Sequence, residues 1–372
     1  MHADDLLPGD TPLRLIDQDG RHHPDDRHPI PSTAALLDGY RRLVLARRIN
    51  DQADALVRQG KLAVYPSSHG QEACEVAAAM VLDEQDWLFP TYRDTVAVIE
   101  RGVDPFEAFV LLRGDWHSGY DPRVHHVAPQ STPLATQLLH AVGFAHAARL
   151  RGDDTVVLAL CGDGATSEGD FHEALNFAAV FHLPVVFLVQ NNGYAISVPL
   201  SRQTAAPSIA HKGIGYGMRG RLVDGNDLAA LLAVLGEAVT EAREGGGPTL
   251  VEALTYRMKS HTNADDATRY RTADEVEPWV ARDPLLRLRT WLTAEGALDD
   301  GDDAEAHAHA ERIAAELRTA VMADAEPHPE ELFAHVYATP TPQLREQAAQ
   351  LADELAAAST GSTASATEEA AR

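Results

Sequence analysis

Two short apolar runs constrain this chain more than anything else in it. Thr155–Leu160 (TVVLAL) and Pro184–Val189 (PVVFLV) are continuous and rich in β-branched residues. That is the pattern of strands buried on both faces, since a strand with one wet face alternates. Between the runs, Phe171, Ala174, Leu175, Ala178 and Ala179 recur at helical spacing over residues 168–182. Strand, glycine-containing turn, helix and strand make a βαβ unit, with parallel strands and a right-handed crossover. The expected fold class is therefore α/β, a parallel sheet flanked by helices.

The remaining segments supply the layers around that unit. Residues 1–31 are rich in Asp, His and Pro without a period, so they read as an irregular arm that packs on another part or stays mobile. Ser32 reads as a helix N-cap, followed by Leu36, Leu37, Tyr40, Leu43, Val44 and Ile49 at helical spacing. Residues 70–82, 104–112 and 134–149 read as further helices, and 113–133 as a long loop. Residues 223–243 read as a helix after the turn DGND, and 249–256 as a third strand. Beyond Pro278, helices are expected near 285–295, 303–323 and 342–358. The expected organisation is an arm (1–31), one α/β domain (32–340), a C-terminal helix (341–358) and a Ser/Thr/Ala/Glu-rich tail (359–372) without fixed structure.

Charge and composition narrow the function. The 372 residues include 31 basic and 56 acidic ones, a net charge of −25. Such a surface repels nucleic acid and anionic membranes, so neither is an expected partner. An apolar fraction of 45% and a charged fraction of 23% are those of a soluble globular protein. Cys74 and Cys161 cannot build a disulfide framework or a zinc cluster, and they read as buried free thiols in a reducing, cytoplasmic compartment. Met1–Gly20 lacks the basic start and apolar centre of a signal peptide. The longest apolar stretch, Phe177–Val189, is broken by His182 and Pro184 and is too short to span a bilayer.

Open parallel sheets bind ligands beyond the carboxyl ends of their strands. There stand Gly162-Asp163-Gly164 and Asn191-Asn192-Gly193-Tyr194, separated by residues 165–190, one crossover plus one strand. The glycines let backbone approach a ligand, and the following helix offers free N–H groups to an anion, which suits a diphosphate. Asp163 would repel a bare diphosphate, and a bridging divalent cation removes the conflict. Mg²⁺ typically takes one or two protein carboxylates, with phosphates and water completing its shell. The Asp163 carboxylate, the Asn192 carboxamide oxygen and a nearby backbone carbonyl would supply three ligands. A dinucleotide site is a weaker reading, because Ser167 stands where G-x-G-x-x-G needs glycine.

The spacing GDG-x26-NN resembles the thiamine-diphosphate motif. GDGATSEGDFHEALNFAA and NNGYAIS resemble the α subunits of 2-oxo acid dehydrogenases, and the likeness spans residues 35–340. It implies the thiamine-diphosphate-binding fold, here the diphosphate-binding domain, with Mg²⁺ on Asp163, Asn192 and the carbonyl of Tyr194. Tyr92 and Arg93, in FPTYRD, match a Tyr-Arg pair on the diphosphate, and Gly164 and Ala165 would bring backbone N–H groups near it. Thr132, Leu134 and Gly162 join the implied cofactor contacts. Ser131, Pro133, Thr136 and Gln137, in STPLATQ, resemble a K⁺ site of some members. In YRMKSHTNADDATRYR, His261 matches an active-site histidine beside the cofactor and Arg257 a nearby catalytic arginine. His117, in RGDWHSG, corresponds to another active-site histidine. Gln190 departs from members with a diphosphate-binding Arg, Thr91 from members with Gln, and Thr262 occupies the place of a regulatory phosphoserine of animal enzymes.

The resemblance implies oxidative decarboxylation of a 2-oxo acid and reductive acylation of a lipoyl group on an acyltransferase component. A branched-chain substrate of the 3-methyl-2-oxobutanoate type leads, pyruvate follows, and acetoin is third. A β subunit would supply the glutamate that activates the aminopyrimidine, in an α₂β₂ heterotetramer, so this chain is expected to be catalytically incomplete alone. A non-catalytic scaffold subunit is the reading from another class. Intact Asp163, Asn192, Arg93 and His261 argue against it.

Overall fold

The computed structural model describes residues 6–115, 118–323 and 329–369. Its core is a five-stranded sheet of β1 (Trp87–Phe89), β2 (Val157–Gly162), β3 (Val185–Asn191), β4 (Arg219–Asp224) and β5 (Thr249–Leu254). The spatial order is β1-β2-β3-β5-β4, and every neighbouring pair is parallel. Both apolar runs are central strands, and their side chains divide between two layers. Leu158, Leu160, Val186 and Leu188 pack with the helices Thr33–Arg58, Glu72–Met80 and Leu228–Arg243. Val157, Ala159, Phe187 and Val189 pack on the other side with the helices Thr136–Arg151 and Gly169–Val180. Each large apolar side chain so buried stabilises the fold by about 1.5–3 kcal/mol, which explains why neither strand alternates with polar residues.

Helix starts follow their caps. Ser32 Oγ accepts from Ala35 N–H, and Asp104 accepts from Phe106 N–H. The expected 223–243 helix is corrected: Val223 and Asp224 close strand β4, and the helix begins at Leu228 with Asp227 as its N-cap. β4 escaped notice because it is an edge strand whose residues mix charge with apolarity. The three-residue β1 and the helix Thr95–Glu100 are too short for a periodic signal.

The N-terminal arm packs on β4. Leu13 bridges Val223 in parallel, and Leu15 and Ile16 are fully buried. Their N–H groups both donate to Asp227 Oδ2 at 2.7 Å. The arm thereby covers a sheet edge that would otherwise expose unpaired backbone.

The chain divides into two compact units, one through Met322 and one from Ala323, so the division falls before the expected domain end at 340. The second unit holds the helices Glu331–Ala334 and Pro342–Glu369. Backbone helix thus continues past 358 into the segment read as a tail without fixed structure.

Candidate functional site

Strand register builds the site. Gly162 pairs with Gln190, and Asn191 pairs with Leu254, so β2, β3 and β5 end level. The next residues, Asp163, Asn192 and Thr255–Arg257, therefore emerge on one rim. A cavity of about 460 Å³ opens there. Its wall includes Tyr92, Arg93, Thr132, Leu134, Gly162, Asp163, Gly164, Ala165, Asn192, Tyr194, Arg257 and His261.

Asp163 opens a short 3₁₀ turn (Asp163–Ser167) and is 1% exposed. Burial raises the pKa of its carboxyl. The Gln203 side chain, backbone N–H groups and, last, the charge of Arg257 oppose that rise. Gln203 Nε2 donates to Asp163 Oδ2 at 2.7 Å, while Gln203 Oε1 is buried without a hydrogen-bond partner. Gly164 cannot be larger, because a Cβ there would lie 2.7 Å from the Ala195 Cβ. The turn after Asn192 uses Gly193 at φ +86°, in the left-handed region that glycine tolerates. A short hairpin, Tyr194–Ala195 with Val198–Pro199, follows.

Asn192 is buried and donates from Nδ2 to Gln71 Oε1 at 2.8 Å. Gln71 in turn donates to Gln190 Oε1 at 3.0 Å, and Gln190 donates to Asp94 Oδ1 at 2.6 Å. Arg257 is also buried, and its donors reach the carbonyls of Tyr194 (3.4 Å) and Ile196 (2.7 Å) and the Tyr270 hydroxyl (2.8 Å). It thus shapes the turn in which Ile196, a β-branched residue, sits at φ 55°.

Across the cavity, Arg93 donates to the carbonyl of Ser67 and to both Nδ1 and the carbonyl of His261. Its guanidinium also lies 5.5 Å from the Tyr92 ring centre. Burial, then Arg93 and Arg257, push the His261 imidazole down to about 4, against a partial offset from Asp265. The buried Asp163 carboxylate, neutral oxygens beside it and an opposing guanidinium form a donor set suited to a divalent cation carrying a diphosphate.

Comparison with known proteins identifies the family. Residues 41–330 match the Dehydrogenase E1 component family. The chain belongs to that family. It is 49% identical over 346 residues to a 3-methyl-2-oxobutanoate dehydrogenase subunit alpha of Mycobacterium tuberculosis, covering 93% of this chain and 94% of that one. It is 38% identical over 311 residues to a pyruvate dehydrogenase E1 component subunit alpha of Staphylococcus aureus, covering 83% of each. The dehydrogenase resemblance carried by GDGATSEGDFHEALNFAA and NNGYAIS, and the parallel α/β fold, are both borne out.

In this E1 chain, the residues of the expected K⁺ site stand apart from the cavity wall. Thr136 Oγ1 donates to Asp170, and Gln137 Nε2 donates to the carbonyls of Leu134 and Leu160. Gln137 Oε1 is buried without a partner. His117 lies outside the described residues. Sequence reasoning missed Gln71, Asp94, Gln203 and Ile196. The sequence signal for them is nearness to the start of the 70–82 helix, to FPTYRD and to NNGYAIS. Cys74 and Cys161 are buried free thiols, as expected. Among the described residues, no helix is long and apolar enough to cross a membrane.

Proposed function

We propose that this E1 chain is the α subunit of a branched-chain 2-oxo acid dehydrogenase that uses thiamine diphosphate and Mg²⁺. The observation that carries the reading is the buried Asp163 carboxylate, whose side-chain partner Gln203 is neutral and which shares a cavity with Asn192 and Arg93. A divalent cation would neutralise it. Asp163, Asn192 Oδ1 and the Tyr194 carbonyl would hold the cation. Arg93, Tyr92 and the backbone of Gly164 and Ala165 would meet the diphosphate, with Gly162, Thr132 and Leu134 around them. When bound, thiamine diphosphate supplies the nucleophilic carbon and the electron sink that decarboxylation needs.

The chain's own residues orient and polarise. His261, neutral at pH 7, offers its Nε2–H to the substrate oxygen on which negative charge develops. Arg257 holds the turn that presents the Tyr194 carbonyl and leaves positive charge behind it. The orphaned Gln137 Oε1 supports a monovalent cation near Ser131, Pro133 and Thr136.

The higher identity to the relative named for 3-methyl-2-oxobutanoate supports that substrate over pyruvate, the second reading. Both relatives are named as alpha subunits, which supports a β subunit, an α₂β₂ assembly and a lipoyl-bearing acyltransferase partner. The buried thiols fit a cytoplasmic setting.

The test is calorimetric titration of thiamine diphosphate with Mg²⁺ into the chain co-expressed with a β-type subunit. Turnover of 3-methyl-2-oxobutanoate and pyruvate with an artificial electron acceptor follows. A larger kcat/KM for the branched acid supports the proposal, and a larger value for pyruvate moves the substrate to the second reading. No metal-dependent binding overturns the cofactor assignment.

A further inference from the structure

A carboxamide has two ends of nearly equal shape and opposite chemistry. Asn192 can serve a cation only through Oδ1, because an NH₂ group turned the same way would repel it. Its orientation therefore has to be imposed. At the near end the Tyr194 N–H donates to Oδ1 at 3.3 Å, and from the other side a line of buried side chains imposes the same orientation. Asn192 Nδ2 donates to Gln71 Oε1 (2.8 Å), Gln71 Nε2 to Gln190 Oε1 (3.0 Å), and Gln190 Nε2 to Asp94 Oδ1 (2.6 Å). Every link runs in the same direction, and all four residues are buried, so water cannot replace a mismatched link.

The line ends on a group that cannot be reversed. Both oxygens of Asp94 accept, Oδ1 from Gln190 Nε2 and Oδ2 from the Thr91 N–H at 2.7 Å, and these contacts oppose the rise in pKa that burial causes. Asp94 immediately precedes the helix Thr95–Glu100, where an aspartate normally caps, yet its side chain makes no cap bond. Its carboxylate is directed to Thr91 and Gln190 instead.

We propose that Asp94 is a positioning residue: it sets the polarity of the Gln190–Gln71 relay and thereby turns Oδ1 of Asn192 toward the cation. This rests on the reading of Asp163 and Asn192 as cation ligands. Turning the relay round would set the Gln190 oxygen against the Asp94 oxygen. With Asp94→Asn, the Thr91 N–H holds the new amide's oxygen, so its NH₂ faces Gln190. Each following amide is then driven to reverse, which costs the Tyr194 N–H its acceptor and turns the NH₂ of Asn192 toward the cation. Asn192→Asp makes the opposite demand, because a carboxylate at 192 needs a donor from Gln71, which only the reversed relay supplies.

A double-mutant cycle between positions 94 and 192 tests this in the chain co-expressed with its β-type subunit. The readouts are Mg²⁺ affinity at saturating thiamine diphosphate, by calorimetry, and thermal unfolding without cofactor. With Asn192 present, Asp94→Asn should weaken Mg²⁺ binding about 10- to 100-fold, the usual effect of losing a group that orients a ligand. With Asn192→Asp present, the same Asp94→Asn change should strengthen Mg²⁺ binding and raise the cofactor-free melting temperature. A merely structural role predicts the same direction in both backgrounds, and that result overturns the proposal. If Asp94→Asn does not fold, Gln190→Met cuts the relay at its centre. Wild-type Mg²⁺ affinity in folded Gln190→Met protein also overturns the proposal. Wild-type protein that binds no thiamine diphosphate with Mg²⁺ sinks the cofactor reading and this proposal together. Binding without the change of sign sinks this proposal alone.

Discussion

Nη2 of Arg93 lies 3.0 Å from Nδ1 of His261. A guanidinium can only donate, so Nδ1 accepts and the imidazole proton sits on Nε2. The same contact brings a positive charge beside the ring, and with burial it holds His261 neutral. One interaction therefore sets both the tautomer and the charge of the candidate catalytic histidine.

The depressed His261 value has a definite sign in stability. Unfolded, the ring takes a proton near its ordinary 6.5, and folded only near 4. The unfolded state thus binds more protons between those values, and the native state loses stability as pH falls through that window. Urea midpoints of the wild type and His261→Gln, followed from pH 7 to 4, should show the wild type weakening relative to the variant. A difference that stays constant with pH contradicts the assignment.

Asp163 should show the opposite balance of stability and function. Burial raises its folded pKa above the ordinary 3.8, so ionisation destabilises the cofactor-free fold as pH rises. Asp163→Asn should melt higher than wild type without cofactor, by a margin larger at pH 7 than at pH 4. The same variant should lose Mg²⁺-dependent thiamine diphosphate binding. A lower melting temperature at pH 7 would count against the account.

Gly164→Ala tests the close approach of the two turns. The added Cβ meets the Ala195 Cβ at 2.7 Å, and overpacking of this kind costs about 1–3 kcal/mol. Denaturant unfolding should register that loss, together with weaker cofactor binding as the hairpin at Tyr194–Ala195 is displaced. Unchanged stability would show that the hairpin yields freely.

Asp227→Ala should release the N-terminal arm. The carboxylate caps the helix from Leu228 through Ala229 and Ala230 N–H groups and also holds the N–H groups of Leu15 and Ile16. Losing a cap costs about 1 kcal/mol, and each orphaned buried N–H about 1–3 more. Limited proteolysis should then cut within residues 6–31 far faster than in wild type, and equal cleavage rates would refute the anchoring role.

The two apolar runs, their glycine- and asparagine-bearing ends and the Ser32 cap were legible in the sequence by itself. They determined the βαβ unit, the α/β class and the family, because burial on both faces and cap chemistry are written in neighbouring residues. Position 163 beside position 192 followed from one crossover length. Tertiary structure alone decided that β5 lies between β3 and β4, that the arm covers β4, and that Asp94, Gln190, Gln71 and Asn192 form one relay. Those side chains meet across 96 to 121 positions of sequence. No local period encodes a hydrogen bond of that span, and its direction is set only when the strands have aligned and water has been excluded.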